Sequence, residues 1–258
     1  MSKTHIHDPR LCLLLLAVAA LLLLAGCRGG DVSEMDKALA AFREMPLADR
    51  PTALRQFMGE QPDLAHYAWY EMGNTWYELA SEGDVPPGVD SATGAHAYLD
   101  SALVAYGNAI AADSTFVEAW VNMGLIWDDV SEGRTPQARR AVDEAKTAYA
   151  KAIELRPEGE KARCNLGSLY YRRHEYQNAV AEFRTVLEHN PKSALAHYNL
   201  AIMFAESRMY REAKTEWELA SRYDPDGDIG DRSRENLKVV DDLMNSEIPA
   251  ELTSDDGH

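Results

Sequence analysis

Small and aromatic residues recur at fixed spacing in the segments AKTAYAKAIELRP, AVAEFRTVLEHNP and AKTEWELASRYDP. Each segment ends in a proline, and Pro157, Pro191 and Pro225 follow one another at intervals of 34 residues. Positions three and four residues apart share one face of a helix, so each segment predicts an amphipathic helix that ends at its proline. The recurring positions are Ala145, Tyr149, Ala152, Ala179, Phe183, Val186, Ala213, Trp217 and Ala220.

A second pattern predicts another helix before each of these segments. It is carried by Trp120, Met123, Gly124 and Trp127, then Leu166, Gly167 and Tyr170, then Leu200, Ala201 and Phe204. An earlier copy has Trp69, Met72, Gly73 and Trp76, followed by Ala102, Tyr106 and Ala109, with Ser114 where the proline is expected.

The period and these positions resemble the tetratricopeptide repeat family over four repeats, 66–116, 117–159, 160–193 and 194–227. The resemblance implies an all-α fold, a right-handed α-solenoid of antiparallel helix pairs. In each pair, glycine or alanine lets the second helix approach closely, and an aromatic ring fills the remaining space.

Two repeats are longer than this pattern requires, by 17 residues between Trp76 and Ala102 and by 9 between Trp127 and Ala145. Thr135 is a suitable N-cap and Pro136 suits the first helical turn, so the second insertion predicts a helix extended by about two turns. The insertions, at 81–97 and 131–140, are either a second candidate binding edge or tolerated loop growth.

The ends of a repeat array need covers for their apolar faces. Residues 34–65 predict an N-terminal helix pair, for which a degenerate repeat is one interpretation. Residues 228–246 predict a capping helix, and 247–258 predict a disordered acidic tail. The expected apolar faces comprise Ala38, Phe42, Leu54, Phe57 and Met58 in the pair, and Leu237, Val240, Leu243 and Met244 in the cap.

The N-terminus has the parts of an export signal, with Lys3 and Arg10 before an apolar run from Leu11 to Ala25. The run ends in Leu24-Ala25-Gly26-Cys27, which resembles the lipobox of bacterial lipoproteins. The resemblance implies cleavage of a signal peptide, 1–26, lipid on Cys27 and a lipidated linker, 27–33. Arg28 then favours the outer membrane, facing the periplasm. The alternative is a secretory signal with an ordinary thiol at Cys27.

The chain after residue 26 carries a net charge of −17, which disfavours nucleic acid and anionic lipid as partners. The sequence has no HExxH, GxSxG, Walker or CxxC motif, so we expect no catalytic activity and no cofactor. Three cysteines do not predict a disulfide framework, and we expect Cys164 to be a small core residue.

One acidic segment has the spacing of a calcium loop, although Ile229 replaces its turn glycine. The alternative is that the segment closes a repeat and that Asp228 or Asp231 caps the next helix. We expect no metal site. The calcium candidates are Asp224, Asp226, Asp228 and Glu235.

The family resemblance places the first helix of each repeat along a concave, peptide-binding groove. We expect the groove residues to pack little within the fold, with Tyr70 and Tyr198 as principal contacts. The asparagines either bind a peptide backbone or follow the family consensus. Only Lys161 and Asn165 resemble part of the basic clamp of chaperone-binding relatives. The groove candidates are Tyr67, Tyr70, Asn74, Tyr77, Val121, Asn122, Leu125, Lys161, Asn165, Ser168, Tyr171, Tyr198, Asn199 and Ile202.

The resemblances together predict a non-catalytic, membrane-anchored envelope lipoprotein that serves as a protein–protein interaction scaffold. Similar proteins include pilus-assembly lipoproteins and adaptors that recruit peptidoglycan hydrolases. The alternative is a small-ligand-binding accessory lipoprotein of a solute transporter.

Overall fold

The computed structural model describes residues 39–82, 91–133 and 135–246, and their regular secondary structure is helical throughout. The predicted signal peptide, Cys27, the linker and the tail at 247–258 lie outside these residues. The chain forms two compact units, one up to Ile126 and the other from Trp127. None of the helices in the described residues has the length and apolar character needed to cross a membrane.

Unit 1 begins with the N-terminal helix pair. Phe42 meets Phe57 edge-on, with the ring centroids 5.5 Å apart, and Leu54 is buried beside them. These three residues belong to the predicted apolar face. The helices of the unit are α1 (residues 39–43), α2 (Arg50–Glu60), a 3-10 turn (Pro62–Leu64), α3 (Ala65–Glu82), α4 (Ser91–Ala112) and α5 (Val117–Asp129), whose last residues belong to unit 2.

Unit 2 continues the repeat pattern. The nine small and aromatic positions that the sequence predicts for its second helices are all buried, which confirms the phase of these repeats. Its helices are α6 (Pro136–Leu155), α7 (Glu160–Arg172), α8 (Tyr176–His189), α9 (Ala194–Glu206), α10 (Tyr210–Tyr223) and α11 (Asp228–Ser246).

The turns of unit 2 repeat as well. Arg156, Asn190 and Asp224 end α6, α8 and α10 with φ between −139° and −133°. Each precedes a proline, which disfavours helical backbone in the residue before it. His174 and Arg208, 34 residues apart, lie between the helices of their pairs with φ of 62° and 60°. The backbone therefore keeps the period even where the side chains differ.

The second insertion has the predicted form. Thr135 is the N-cap of α6, where its Oγ1 accepts a hydrogen bond from the Ala138 amide at 3.0 Å, and Pro136 is the first helical residue. Helix α6 has 20 residues, whereas α8 and α10 have 14 each. The extension is therefore about two turns, as predicted.

Helix α11 departs from its predicted apolar face. Val240 is buried and Leu237 packs beside it against Trp217, as a cap requires. Leu243 was expected on the same buried face but is 40% exposed, and Val239 is 58% exposed. The prediction for Leu243 is wrong, because α11 presents a second apolar face next to the one that it buries.

Candidate functional site

The candidate residues of unit 1 form a polar network between helices. Asn122 of α5 donates hydrogen bonds to Asn74 Oδ1 at 3.0 Å and to the Tyr70 hydroxyl at 3.2 Å. Tyr106 of α4 donates to the same Asn74 oxygen at 2.8 Å. Side chains from α3, α4 and α5 thus meet in one network, and their amide and hydroxyl groups are engaged within the fold.

Tyr70 is also packed by aromatic rings. Its ring centroid lies 5.0 Å from that of Phe116 and 5.8 Å from that of Tyr106. Burial raises the pKa of the Tyr70 hydroxyl, and its hydrogen bond with Asn74 opposes that rise. The expectation that Tyr70 packs little within the fold is therefore wrong. Its neighbour Tyr67 likewise packs against Phe116, with the centroids 5.4 Å apart.

The remaining candidates of unit 1 offer little free surface. Val121 is 8% exposed, and Leu125 and Tyr77 are half-buried. Tyr77 packs against the core formed by Ala102, Tyr106 and Ile126. These side chains pack between helices, so only a small part of their surface is accessible to a partner.

In unit 2 the candidate asparagines again lie between repeats. Ser168 donates to Asn199 Oδ1 at 3.5 Å, at the long limit of a hydrogen bond. Burial raises the pKa of the Cys164 thiol to about 12, and a hydrogen bond with Asn199 opposes the rise. Burial also raises the pKa of the Tyr149 hydroxyl, which the neighbouring Asn165 amide opposes. Cys164 is fully buried, as expected of a small core residue.

These contacts bear on the two interpretations of the asparagines. Asn122, Asn165 and Asn199 occupy equivalent positions in successive first helices, and Asn122 and Asn199 form hydrogen bonds with side chains of the repeat before their own. A partly buried amide that already has partners gains little by exchanging them for a peptide. The contacts of Asn122 and Asn199 therefore favour a role within the array, and peptide binding by the asparagines stays a prediction.

The other candidates of unit 2 differ in exposure. Lys161 is exposed, whereas Tyr198 and Ile202 are partly buried and pack against the core of Ala213, Trp217 and Val240. The expectation that Tyr198 packs little within the fold is therefore wrong, and its contact with a partner stays a prediction. The Tyr171 ring lies 5.5 Å from that of Tyr176. Burial and a hydrogen bond with Glu206 raise the pKa of the Tyr171 hydroxyl to about 12.

A pocket of about 260 Å³ in unit 2 was not predicted from the sequence. It lies where the end of α9 meets α10 and α11, beyond Tyr198 and Ile202 on α9. The sequence pattern assigns the apolar residues of α11 to a cap and does not show that Val239 and Leu243 remain exposed. This exposure is what would have revealed the pocket. The lining residues are Ala205, Glu206, Tyr210, Trp217, Asn236, Val239, Val240 and Leu243.

A second pocket, of about 350 Å³, lies in unit 1 beside the helix that the first insertion extends. Trp76 stacks on Tyr98 of that helix, with centroids 5.7 Å apart, and Val104 at the rim is 64% exposed. Residues 83–90 of the insertion lie outside the described residues. The lining residues are Arg55, Trp69, Met72, Trp76, Asp100, Ser101, Val104 and Ala105.

The calcium candidates do not share one loop. Asp224 Oδ2 accepts hydrogen bonds from the amides of Ile229 and Gly230 at 3.1 and 3.2 Å, so it caps α11. Asp228 and Asp231, the expected caps, lie in the first turn of this helix, and Glu235 lies further along it. The described residues contain no group of three or more His, Cys, Asp or Glu side chains that could hold a metal ion.

Comparison with known families agrees with this geometry. The tetratricopeptide repeat family profile matches residues 130–184 and 164–228. Residues 130–228 therefore match tetratricopeptide repeats. No curated protein sequence matches the chain.

Solved structures of tetratricopeptide-repeat proteins share the fold. A thermophilic protein from Thermus thermophilus is 14% identical, with a TM-score of 0.59, over 85% of this chain and 98% of that one. A protein from Parabacteroides merdae is 18% identical, with a TM-score of 0.54, over 90% of this chain and 76% of that one. The described residues therefore have the all-α fold of antiparallel helix pairs seen in tetratricopeptide-repeat solenoids, a fold typical of non-catalytic scaffolds for protein–protein interaction.

Proposed function

We propose that this tetratricopeptide-repeat protein is a lipid-anchored scaffold of the bacterial cell envelope. The observation that carries the proposal is the sequence Leu24-Ala25-Gly26-Cys27 at the end of a 15-residue apolar run. Such a run is shorter than the ~20 residues of a membrane span, which favours a cleaved signal.

The anchor explains how a strongly acidic body stays at a membrane. A net charge of −17 after residue 26 repels anionic lipid, so charge gives the chain no affinity for the bilayer. Diacylglycerol on Cys27 with a further acyl chain on its amine supplies the two or more lipid chains that stable attachment needs. Arg28 favours sorting to the outer membrane on its periplasmic side.

The repeats supply the scaffold. They present helix surfaces to an envelope partner, in assembly of a complex such as a pilus or the peptidoglycan machinery. Because Tyr70 and Asn122 are engaged within the fold, we place the docking surfaces at the exposed apolar residues around the two pockets.

The first experiment is labelling with a radioactive fatty acid, with the protein expressed in a two-membrane bacterium. Cys27→Ser should abolish the label and leave an uncleaved precursor. Cys12→Ser is the matched control, because Cys12 lies inside the apolar run and outside the lipobox, and this variant should be labelled and cleaved normally. Normal cleavage of the Cys27→Ser protein would falsify the lipoprotein proposal.

The partner is identified by in-cell photo-crosslinking from the pocket rims, followed by mass spectrometry. A scaffold should give discrete adducts with envelope proteins. The alternative, a ligand-binding accessory lipoprotein of a solute transporter, requires a cavity that encloses a small molecule. Both described pockets open to the surface, which favours the docking of a protein segment.

A further inference from the structure

We infer that the pocket between α9, α10 and α11 binds a partner segment in which an apolar side chain stands next to lysine or arginine. The inference rests on the proposed scaffold function and names the chemistry of the partner. It is carried by the shape of the pocket, its exposed apolar rim and the charge around it.

The pocket has an apolar floor and an apolar rim. Trp217 is 5% exposed and Val240 1%, so these two side chains form a packed floor. Val239 and Leu243, four residues apart on one face of α11, form the rim and are 58% and 40% exposed. A valine and a leucine side by side on a helix surface lose contact with water when an apolar group covers them, which favours docking.

The size of the pocket sets the kind of group that it accepts. Its volume of about 260 Å³ is below the roughly 300–1,000 Å³ of pockets that enclose drug-sized ligands. One or two apolar side chains of a protein segment fit such a space, while the rest of the segment lies across the open side. Tyr198 and Ile202 on the same face of α9 give this segment a surface to follow.

The charge of the surroundings selects a basic partner. Glu206 is the only charged side chain among the lining residues of this pocket. On α11 the rim is flanked by Glu235, Lys238 and Asp242, and the chain after residue 26 as a whole has a net charge of −17, which steers cations toward its surface. A lysine or arginine next to the docked side chain therefore meets Glu206 at the rim.

The same charge argument disfavours the protein's own tail as the occupant. Residues 247–258 follow α11 directly and include Ile248 and Leu252, which are apolar. The tail also carries four carboxylates and no lysine or arginine, so it would bring like charge to Glu206. A segment of another protein that carries apolar and basic residues can cover the apolar rim and also pair with the Glu206 carboxylate.

The test uses the full mature chain, from residue 27, and fluorescein-labelled helical peptides in an anisotropy titration at about 150 mM salt. One peptide is an amphipathic sequence of leucine and lysine. A second replaces its lysines by glutamate, and a third replaces its leucines by serine. We expect binding of the leucine–lysine peptide, with affinity lower by about tenfold or more for the other two.

Val239→Asp separates docking from simple charge attraction. The substitution adds a negative charge, so attraction alone predicts tighter binding of the leucine–lysine peptide, whereas docking on the apolar rim predicts about tenfold weaker binding. Val104→Asp is the matched control, because it adds the same charge at a valine that is 64% exposed, in unit 1. It should leave the affinity unchanged or slightly higher. Both sites are exposed, and circular dichroism checks that each variant remains helical.

Four results overturn the inference. The first is no measurable binding of the leucine–lysine peptide to the wild-type chain. The second is unchanged or tighter binding by Val239→Asp, which means attraction by charge alone. The third is weaker binding by Val104→Asp with Val239→Asp unchanged, which moves the site to unit 1. The fourth is binding about tenfold tighter in a chain that ends at Ser246, which identifies the tail as the occupant. None of these results bears on lipidation of Cys27, which is tested separately.

Discussion

Gly167 of α7 lies directly against the ring of Phe183 of α8. A β-carbon built on Gly167 would fall 2.7 Å from Cε1 of that ring, closer than any real carbon contact allows. The same relationship joins Gly73 of α3 to the ring of Tyr106 of α4. The glycine and the aromatic residue of a repeat are therefore one packing unit, in which neither can change alone.

Gly167→Ala should destabilise unit 2. Phe183 is 1% exposed, so the added methyl group pushes against a buried ring and forces the helices of the pair apart. Overpacking of this kind costs about 1–3 kcal/mol of unfolding free energy. Chemical denaturation of the variant and the wild type measures the difference, and Gly73→Ala should behave in the same way in unit 1.

Gly59→Ala is the matched control. Gly59 is helical, in α2, and a β-carbon built there meets no atom within 4 Å. The substitution should stabilise the protein by about 0.5–1 kcal/mol, because alanine favours a helix more than glycine does. If Gly59→Ala and Gly167→Ala changed the unfolding free energy equally, close packing of Gly167 against Phe183 would not be what the substitution disturbs.

Asn122→Ala tests whether the asparagines serve the fold or a partner. The Asn122 side chain donates to Asn74 and to the Tyr70 hydroxyl, both half-buried. Its loss should lower the unfolding free energy by about 1–2 kcal/mol, because the two acceptors lose a donor. Thermal denaturation followed by circular dichroism measures the change.

Asn178 offers the comparison. It is exposed, and its side chain donates only to Glu175 at the start of its own helix. Asn178→Ala should change stability by less than about 0.5 kcal/mol. If Asn122→Ala were equally mild but weakened recovery of a partner, the asparagine would be a ligand contact after all.

The fold was predictable because its determinants are local and periodic. The 34-residue spacing of Pro157, Pro191 and Pro225, with glycine and aromatic residues in phase, requires no knowledge of distant contacts. Thr135 and Pro136 likewise act on the turn that contains them. Each of these features is visible in a short stretch of sequence.

The binding surface was less predictable because exposure depends on neighbours. Tyr70 looks like a free aromatic residue until Phe116 and Asn122, far along the chain, are placed against it. Leu243 looks like core because it is in phase with Val240, yet Val240 is 1% exposed and Leu243 is 40% exposed. The periodicity of a helix gives the face of each residue, and the rotation of that helix against its neighbours decides which face is buried.

His197 should make stability depend on pH. Its Nδ1 lies 2.6 Å from Glu216 Oε2 and its Nε2 lies 3.2 Å from the Pro191 carbonyl oxygen, so the doubly protonated ring can donate to both. Burial lowers the pKa of His197, but these two hydrogen bonds outweigh burial and raise it above its ordinary value. The stabilisation by the protonated His197 ring is fully present below the pKa of the histidine in the unfolded chain. It is lost as pH rises through the higher pKa of His197 in the folded protein. The difference in unfolding free energy between wild type and His197→Gln should therefore shrink from about pH 6 upward.

His66 should show the opposite sign. Burial lowers its pKa, and the nearby Asp113 only partly opposes this. The neutral His66 ring contributes to the unfolding free energy at pH values above the unfolded pKa, and this contribution is lost as pH falls through the folded pKa. The stability difference between wild type and His66→Gln should therefore grow as pH rises toward about 7. Denaturation curves at half-unit steps of pH measure both variants, and parallel slopes for the two histidines would contradict the assignment.

Asp224 decides whether the acidic segment before α11 is a metal loop or a helix cap. One of its carboxylate oxygens accepts from the amides of Ile229 and Gly230, and Glu235 lies within the helix. Asp224→Ala should lower the unfolding free energy by about 0.5–2 kcal/mol, as the loss of a cap does. Asp226→Ala, at an exposed aspartate two residues away, should have almost no effect on the unfolding free energy.

Calcium at millimolar concentration should not raise the melting temperature of the wild type, because a bound ion would have to take the Asp224 carboxylate from the helix amides. A calcium-dependent rise that Glu235→Ala removes would overturn the cap and establish the metal loop.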